Sequence, residues 1–294
     1  MIIFASGRTD IPAFYSRWFM NRYKEGYVDV RNPFRHELVS RLYFSDCDLI
    51  QFCSKNPLPL IPHLKEITQP IVFHVTLTPY KEDIEPGVKD KSAIIEGIKE
   101  ISKIIGKQFV YVRYDPIFLS KKYTLAYHQK AFERVCSLLD GYVEKIIVSF
   151  LDMYKNVEHN RKILDPSPFT EEDYKGIGES FSASARNHHM TVQTCYEKRN
   201  LTEYGFVAGE CLSLQTAYLL TGKMFPEFKG RKGEGCHCAE TCDIGAYNSC
   251  MHLCKYCYAN YAEDEVRKNL LTHDDNSSLI LGHLQEGDII KVRK

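Results

Sequence analysis

PIVFHVTLTPY, Pro70 to Tyr80, is an apolar, β-branched run that ends in polar residues, and KSAIIEGIKEISKIIGK, Lys91 to Lys107, follows with apolar residues at helical spacing. FVYVRYDPI, Phe109 to Ile117, then repeats the first pattern. The strands are apolar along their length instead of alternating, which marks a parallel sheet covered by helices.

Outward from this unit the same alternation recurs. MIIFASGRTD at the N-terminus, GYVDVRNP from Gly26, DLIQFCSKNP from Asp48, KIIVSFLDMY from Lys145, MTVQTCYE from Met190 and YGFVAGEC from Tyr204 complete eight candidate strands. Thr124–Tyr142, Thr170–His189 and SLQTAYLLTG from Ser213 read as further helices. Eight such units predict an α/β fold, a (βα)8 TIM-like barrel over residues 1–228. KGRKGEG, Lys229 to Gly235, then opens a cysteine-rich segment, residues 229–294, predicted to fold over the strand C-terminal ends and cap the barrel mouth.

The 38 Lys plus Arg balance 38 Asp plus Glu, so no global field draws the chain to an extended nucleic acid or an anionic membrane. The N-terminus turns polar after five residues and no run approaches membrane-spanning length, a cytoplasmic pattern without a membrane partner. Six of the 11 cysteines crowd between Cys236 and Cys257, which in a reducing compartment favours metal ligation over disulfides.

Chemistry in such a barrel sits at the C-terminal ends of the strands. Arg8 and Asp10 follow the first strand, Arg31 and Asn32 the second, Lys55 the third, and Arg113 and Asp115 end the fifth. Arginine forks suit carboxylate and phosphate, so the mouth is expected to receive an anionic small molecule. In RTD and RYD, Asp10 and Asp115 are placed to orient Arg8 and Arg113, whose free edges would hold cofactor or substrate. The alternative is a rim network in which Arg8, Arg31 and Arg113 pair with Asp10, Asp115 and Asp152.

CMHLCKYC places Cys250, Cys254 and Cys257 at the CxxxCxxC spacing by which radical S-adenosylmethionine enzymes hold three irons of a [4Fe-4S] cluster, leaving the fourth iron for the cofactor. Structural zinc, helped by His237 or His252, is the competing reading. Cys195 and Cys211 end strands and face the mouth; with Cys236 and Cys238 of GCHCAETC they make a candidate set for an auxiliary [4Fe-4S] cluster. Cys47, Cys53 and Cys136 read as packing residues.

SGRTDIPAFYSRWFMNR from Ser6, VRNPF, KNPLPL, TLTPY, RYDPI, SFLDMY, QTC and DIGAYNSCMHLCKYCYAN to Asn260 together resemble, from one end to the other, the family known as domain of unknown function 1848. The last motif is also similar to the CxHxCxYCYA loop of the spore photoproduct lyase branch of radical S-adenosylmethionine enzymes. The resemblance implies fold and cluster rather than a substrate. It matches Cys195, Cys211, Cys236 and Cys238 to family cysteines and leaves Cys242 outside the ligand set. The GGE motif usual in radical enzymes is absent, VAGEC at Val207 to Cys211 being only superficially like it.

The expected function is therefore that of a radical S-adenosylmethionine enzyme acting on an anionic small molecule. A reduced cluster would pass one electron to the cofactor's sulfonium, and the resulting 5′-deoxyadenosyl radical would abstract hydrogen from substrate. Tyr256 would lie near the adenine, an arginine on the methionine carboxylate, and a donor such as flavodoxin or ferredoxin would supply the electron. The alternatives are a non-radical iron–sulfur redox or electron-transfer protein and a zinc-stabilised ligand-binding barrel.

Overall fold

The computed structural model describes residues 1–5, 7–88, 90–195, 197, 199, 201–228 and 236–293. KGRKGEG lies outside them. The chain runs β1 (Ile2–Ala5), α1 (Ile11–Phe14), α2 (Ser16–Glu25), β2 (Tyr27–Arg31), β3 (Leu38–Tyr43), β4 (Leu49–Ser54), β5 (Ile71–Thr76), α3 (Lys91–Ile105) and β6 (Val110–Ile117). It continues through α4 (Leu125–Leu139), β7 (Lys145–Phe150), α5 (Lys155–Glu158), α6 (Arg161–Leu164), α7 (Glu171–Asn187), β8 (Thr191–Thr194) and β9 (Val207–Ala208). The last elements are α8 (Leu214–Thr221), β10 (Cys242–Asp243), α9 (Glu263–Leu270) and β11 (Ile289–Val292).

The long helices start at side-chain caps. Asp90 accepts from the Ala93 N–H to open α3, Thr124 from Tyr127 to open α4, and Thr170 with Asp173 forms a capping box on α7. Gly106 ends α3 at φ 93°, a conformation costly for any residue with a Cβ.

Eight strands form one parallel sheet in the order β10-β1-β4-β5-β6-β7-β8-β9. Among the described residues no ladder joins β9 to β10, so the sheet keeps two edges. The segments beside those edges do meet, where the Ala239 N–H donates to the Leu212 carbonyl at 2.9 Å. No helix among the described residues is long and apolar enough to cross a membrane.

Consecutive strand residues face opposite sides. Ile3, Ile50, Phe73, Val112 and Val148 pack outward against Phe19, Ile98, Phe132 and Phe181 of the helices. Ile2, Leu49, Val72, Tyr111 and Ile147 face inward, where Leu212, Ala217 and Ala239 cover them. Phe132 and Phe181 stack with ring centres 3.8 Å apart between α4 and α7. Burying each such ring contributes about 1.5–3 kcal/mol.

One expected strand lies elsewhere. Tyr27–Arg31 is not the second strand of the parallel sheet; it pairs antiparallel with β3, and β11 adds to β3 in a separate three-stranded sheet. The cause is local: the Asn32 side chain accepts from the N–H groups of Phe34 and Arg35, which turns the chain straight back. A parallel neighbour would have needed a long crossover. Arg31 consequently leaves the mouth and pairs with Asp288, while β4 takes the place beside β1.

The loop after β5 meets the C-terminal segment closely at Gly87. A Cβ there would stand 2.3 Å from the Met251 carbonyl oxygen and 2.6 Å from the His252 Cα. Gly87→Ala is expected to destabilise the chain by about 1–3 kcal/mol, as overpacking does; an unchanged urea midpoint would contradict this contact.

Candidate metal centres

Two groups of cysteines are candidates for metal binding. Cys195 follows β8, Cys211 follows β9 and Cys238 precedes β10. Their sulfurs lie within 4.8 Å of one another. Cys211 Sγ is 2.7 Å from Cys195 Sγ, Cys195 Sγ is 4.0 Å from Cys238 Sγ, and the Cys211 N–H donates to Cys238 Sγ at 3.3 Å. Cys236, the fourth member expected, is half-buried and is not part of this close group.

Arg113 of β6 reaches this group. Its Nη1 donates to Cys211 Sγ at 3.3 Å and its Nη2 to Asp115. Cys211 is held well below the ordinary thiol range, first by its contacts with Cys195 and Cys238, then by the Arg113 charge, against the opposing effect of burial.

The second group is the CxxxCxxC loop. Asn248 and Leu253 take left-handed backbone, at φ 52° and 53°, and so fold the loop tightly. Burial pushes the Cys250, Cys254 and Cys257 thiols up; the charges of Asp10, Cys257 and Cys254 push Cys250 further. Lys55 acts the other way on Cys254 and Cys257. These three sulfurs do not form a group within 4.8 Å. The Ala259 N–H donates to Cys257 Sγ at 3.3 Å.

The loop is held from many directions. Tyr15 Oη donates to the Ser249 carbonyl at 2.6 Å, Asn260 Nδ2 to Cys250 O at 2.7 Å, Asn156 Nδ2 to Cys257 O at 2.6 Å, and Asn160 Nδ2 to Lys255 O at 2.8 Å. Its two buried polar side chains dock on carboxylates. His252, 3% exposed, sets Nε2 2.8 Å from Asp10 Oδ2 and Nδ1 3.3 Å from the Gly87 carbonyl. Tyr256 Oη donates to Glu85.

Glu85 is 1% exposed and also accepts from Lys55 Nζ at 2.8 Å, Lys91 Nζ at 2.7 Å and Thr78 Oγ1 at 2.5 Å. Burial alone would raise its carboxyl; the two lysines instead hold it down to about 2. Asp10 is as fully used, accepting from the Ala13 N–H at 3.1 Å and the Lys55 N–H at 2.7 Å besides its His252 contact.

Arg8 and Asp10 are therefore not partners. Arg8 Nε meets Asp243 Oδ2 at 2.7 Å and its Nη2 donates to the Asp243 carbonyl at 3.0 Å, because β10 lies directly beside β1. Asp115 does pair with Arg113. Cys47 and Cys136 are buried; Cys53, read as packing, is half-buried on the inner face 3.9 Å from Thr76 Oγ1, its thiol pushed up to about 11 by burial. His237, a zinc candidate, is exposed and 3.5 Å from Glu227. Glu85, Asp243 and His74 escaped the motif reading: Glu85 sits in a plain loop, Asp243 gains its partner from 235 residues away, and His74 lies inside an apolar strand.

A parallel sheet flanked by helices, with Cys195, Cys211 and Cys238 close enough together to hold a metal ion, defines an α/β protein with a candidate thiolate metal site. Residues 2–259 match the family described as "Domain of unknown function (DUF1848)", and the chain belongs to that family. No curated protein matches it.

His74, on the inner face 3.4 Å from Gln51, is pushed down to about 3 by burial and then by Arg113. In the unfolded chain it takes a proton near 6.5. The stability it leaves in place at neutral pH is thus lost as pH falls from about 6.5 toward 3, amounting to about 2 kcal/mol at pH 5. Urea titrations at pH 7 and pH 5 should show a larger loss for wild type than for His74→Gln; equal losses would contradict a buried neutral imidazole.

Proposed function

We propose that this protein is a radical S-adenosylmethionine enzyme whose cysteine loop sits at the C-terminal side of the sheet. The observation that carries the reading is the state of His252. Both its ring nitrogens face protein oxygens, Asp10 Oδ2 and Gly87 O, so it is not placed as a fourth ligand beside Cys250, Cys254 and Cys257. Three thiolates that do not all lie within 4.8 Å of one another, with His252 engaged elsewhere, fit the separate irons of a cluster with one open iron and fit a single zinc ion poorly. The chemistry of the donors agrees: Cys254 and Cys257 push the Cys250 thiol up and Cys257 pushes up Cys254, and a cationic group among them would reverse that cost. An N–H bond to Cys257 Sγ is the kind that tunes such clusters.

Cys250, Cys254 and Cys257 would hold the cluster, which with bound S-adenosylmethionine and an external electron supplies a 5′-deoxyadenosyl radical for hydrogen abstraction. The chain's own residues do the rest. Asp10 and Glu85 brace the loop through His252 and Tyr256, and burial of the loop excludes water. Lys55 brings positive charge toward Cys254. Arg113, inward-facing at the mouth, is the residue for an anionic group of substrate or cofactor. Arg8 and Asp10 serve the loop and the sheet edge in this reading, which shifts cofactor contact toward Arg113, Asp115 and the rim around Tyr256.

The inner layer of side chains, covered by Leu212 and Ala217, supports taking the curved sheet as a TIM-like barrel. The reading implies a reducing, cytoplasmic setting and a donor such as flavodoxin or ferredoxin. Replacing Cys250, Cys254 and Cys257 together with alanine is expected to remove about four irons per chain and all dithionite-dependent cleavage of S-adenosylmethionine. Unchanged iron in the folded variant would overturn the assignment.

A further inference from the structure

The two cysteine groups differ in spacing. A tetrahedral ion with metal–sulfur bonds of about 2.3 Å keeps its sulfurs about 3.8 Å apart. A four-iron cluster spreads its thiolates wider, because each binds a different iron. The loop cysteines are not all within 4.8 Å of one another, whereas Cys195, Cys211 and Cys238 are. Cys195 and Cys238, 4.0 Å apart, already have the single-ion spacing; Cys195 and Cys211 reach it by opening about 1 Å.

We propose that Cys195, Cys211 and Cys238 bind one thiophilic divalent ion of the zinc class, with water in its fourth position, in place of the auxiliary four-iron cluster expected from the sequence. The surrounding donors are those of a built metal site. Arg113 Nη1 and the Cys211 N–H each lie 3.3 Å from a ligand sulfur, and such second contacts orient thiolates and stabilise their charge. Three thiolates with a divalent ion carry one net negative charge, which the Arg113 guanidinium, shared with Asp115, partly offsets. Soft thiolates also select this class of ion over magnesium or calcium.

The location supplies the purpose. Cys211 lies just beyond β9, Cys238 just ahead of β10, and no ladder joins those two strands among the described residues. A metal bound here ties the two edges of the sheet together, beside the Ala239–Leu212 hydrogen bond. The ion is thus a staple across the seam, and it stands independently of the open-site cluster proposed for the loop.

The test uses full-length chain carrying alanine at Cys250, Cys254 and Cys257, prepared without metal and titrated with Co²⁺. One equivalent should bind, with sulfur-to-cobalt charge transfer and the ligand-field bands of a tetrahedral thiolate site, and Zn²⁺ should displace it and raise the melting temperature. Adding Cys211→Ala should abolish the signal. A folded chain that binds no cobalt, or one that instead takes up about four irons with sulfide, overturns the proposal. Should the loop variant not fold, metal analysis of wild type purified without oxygen decides: one zinc-class ion beside the loop's iron supports the staple, and about eight irons with sulfide and no zinc refutes it. Failure of the loop reading looks different, because the seam ion would remain while loop iron is missing.

Discussion

The pairing of Ile3 and Phe4 with Cys242 and Asp243 is the constraint on which the site depends. Two residues of strand join the C-terminal segment to the start of the sheet, and Arg8 seals them by gripping both the side chain and the carbonyl of Asp243. Asp243 also accepts from the N–H groups of Gly7 and Gly245. Gly7 has to be small, since a Cβ would stand 2.6 Å from Asp243 Oδ2. With residue 243 pinned there, the next residues must pass over the carboxyl ends of β1, β4 and β5. The cysteine loop arrives at the place where a parallel sheet does its chemistry although it comes from the other end of the chain.

Holding that loop down buries charge, and the structure meets the cost with partners. A buried carboxylate without a cation would shift its titration or unfold the region. Glu85 has two lysines, a threonine and a tyrosine around it, and Asp10 has two backbone N–H groups and an imidazole. The two carboxylates meet the loop from the segments that follow β1 and β5, Asp10 through His252 and Glu85 through Tyr256. These two side chains flank Cys254 at equal distance in sequence, so the thiol between them is positioned from both sides.

Much of the sheet was readable because periodicity reports burial. β4 through β8 lie where the apolar runs place them, and the capped helices α3, α4 and α7 fill the gaps between them. The reading failed where a local turn or a distant partner decided the outcome. Asn32 folds β2 back on β3, a side-chain effect that the apolar pattern of GYVDVRNP does not encode. β10 is two residues long, too short for any period, and exists only because β1 has a free edge. In the site, spacing marked Cys250, Cys254 and Cys257 as a candidate set whose sulfurs do not gather within 4.8 Å, while strand-end placement correctly brought Cys195 and Cys211 toward Cys238 but not Cys236. The partner of Arg8 was misread because Asp10, two residues away, was the obvious choice, while Asp243 becomes a neighbour only on folding.

The central claim is that the loop offers a cluster with one iron open to S-adenosylmethionine. Mössbauer spectroscopy of anaerobically assembled, iron-57-labelled protein tests it most directly. The account requires that adding S-adenosylmethionine change the spectrum of one loop iron and leave the other three as they were. Zinc in the loop, or a spectrum in which no iron responds to the cofactor, would contradict it.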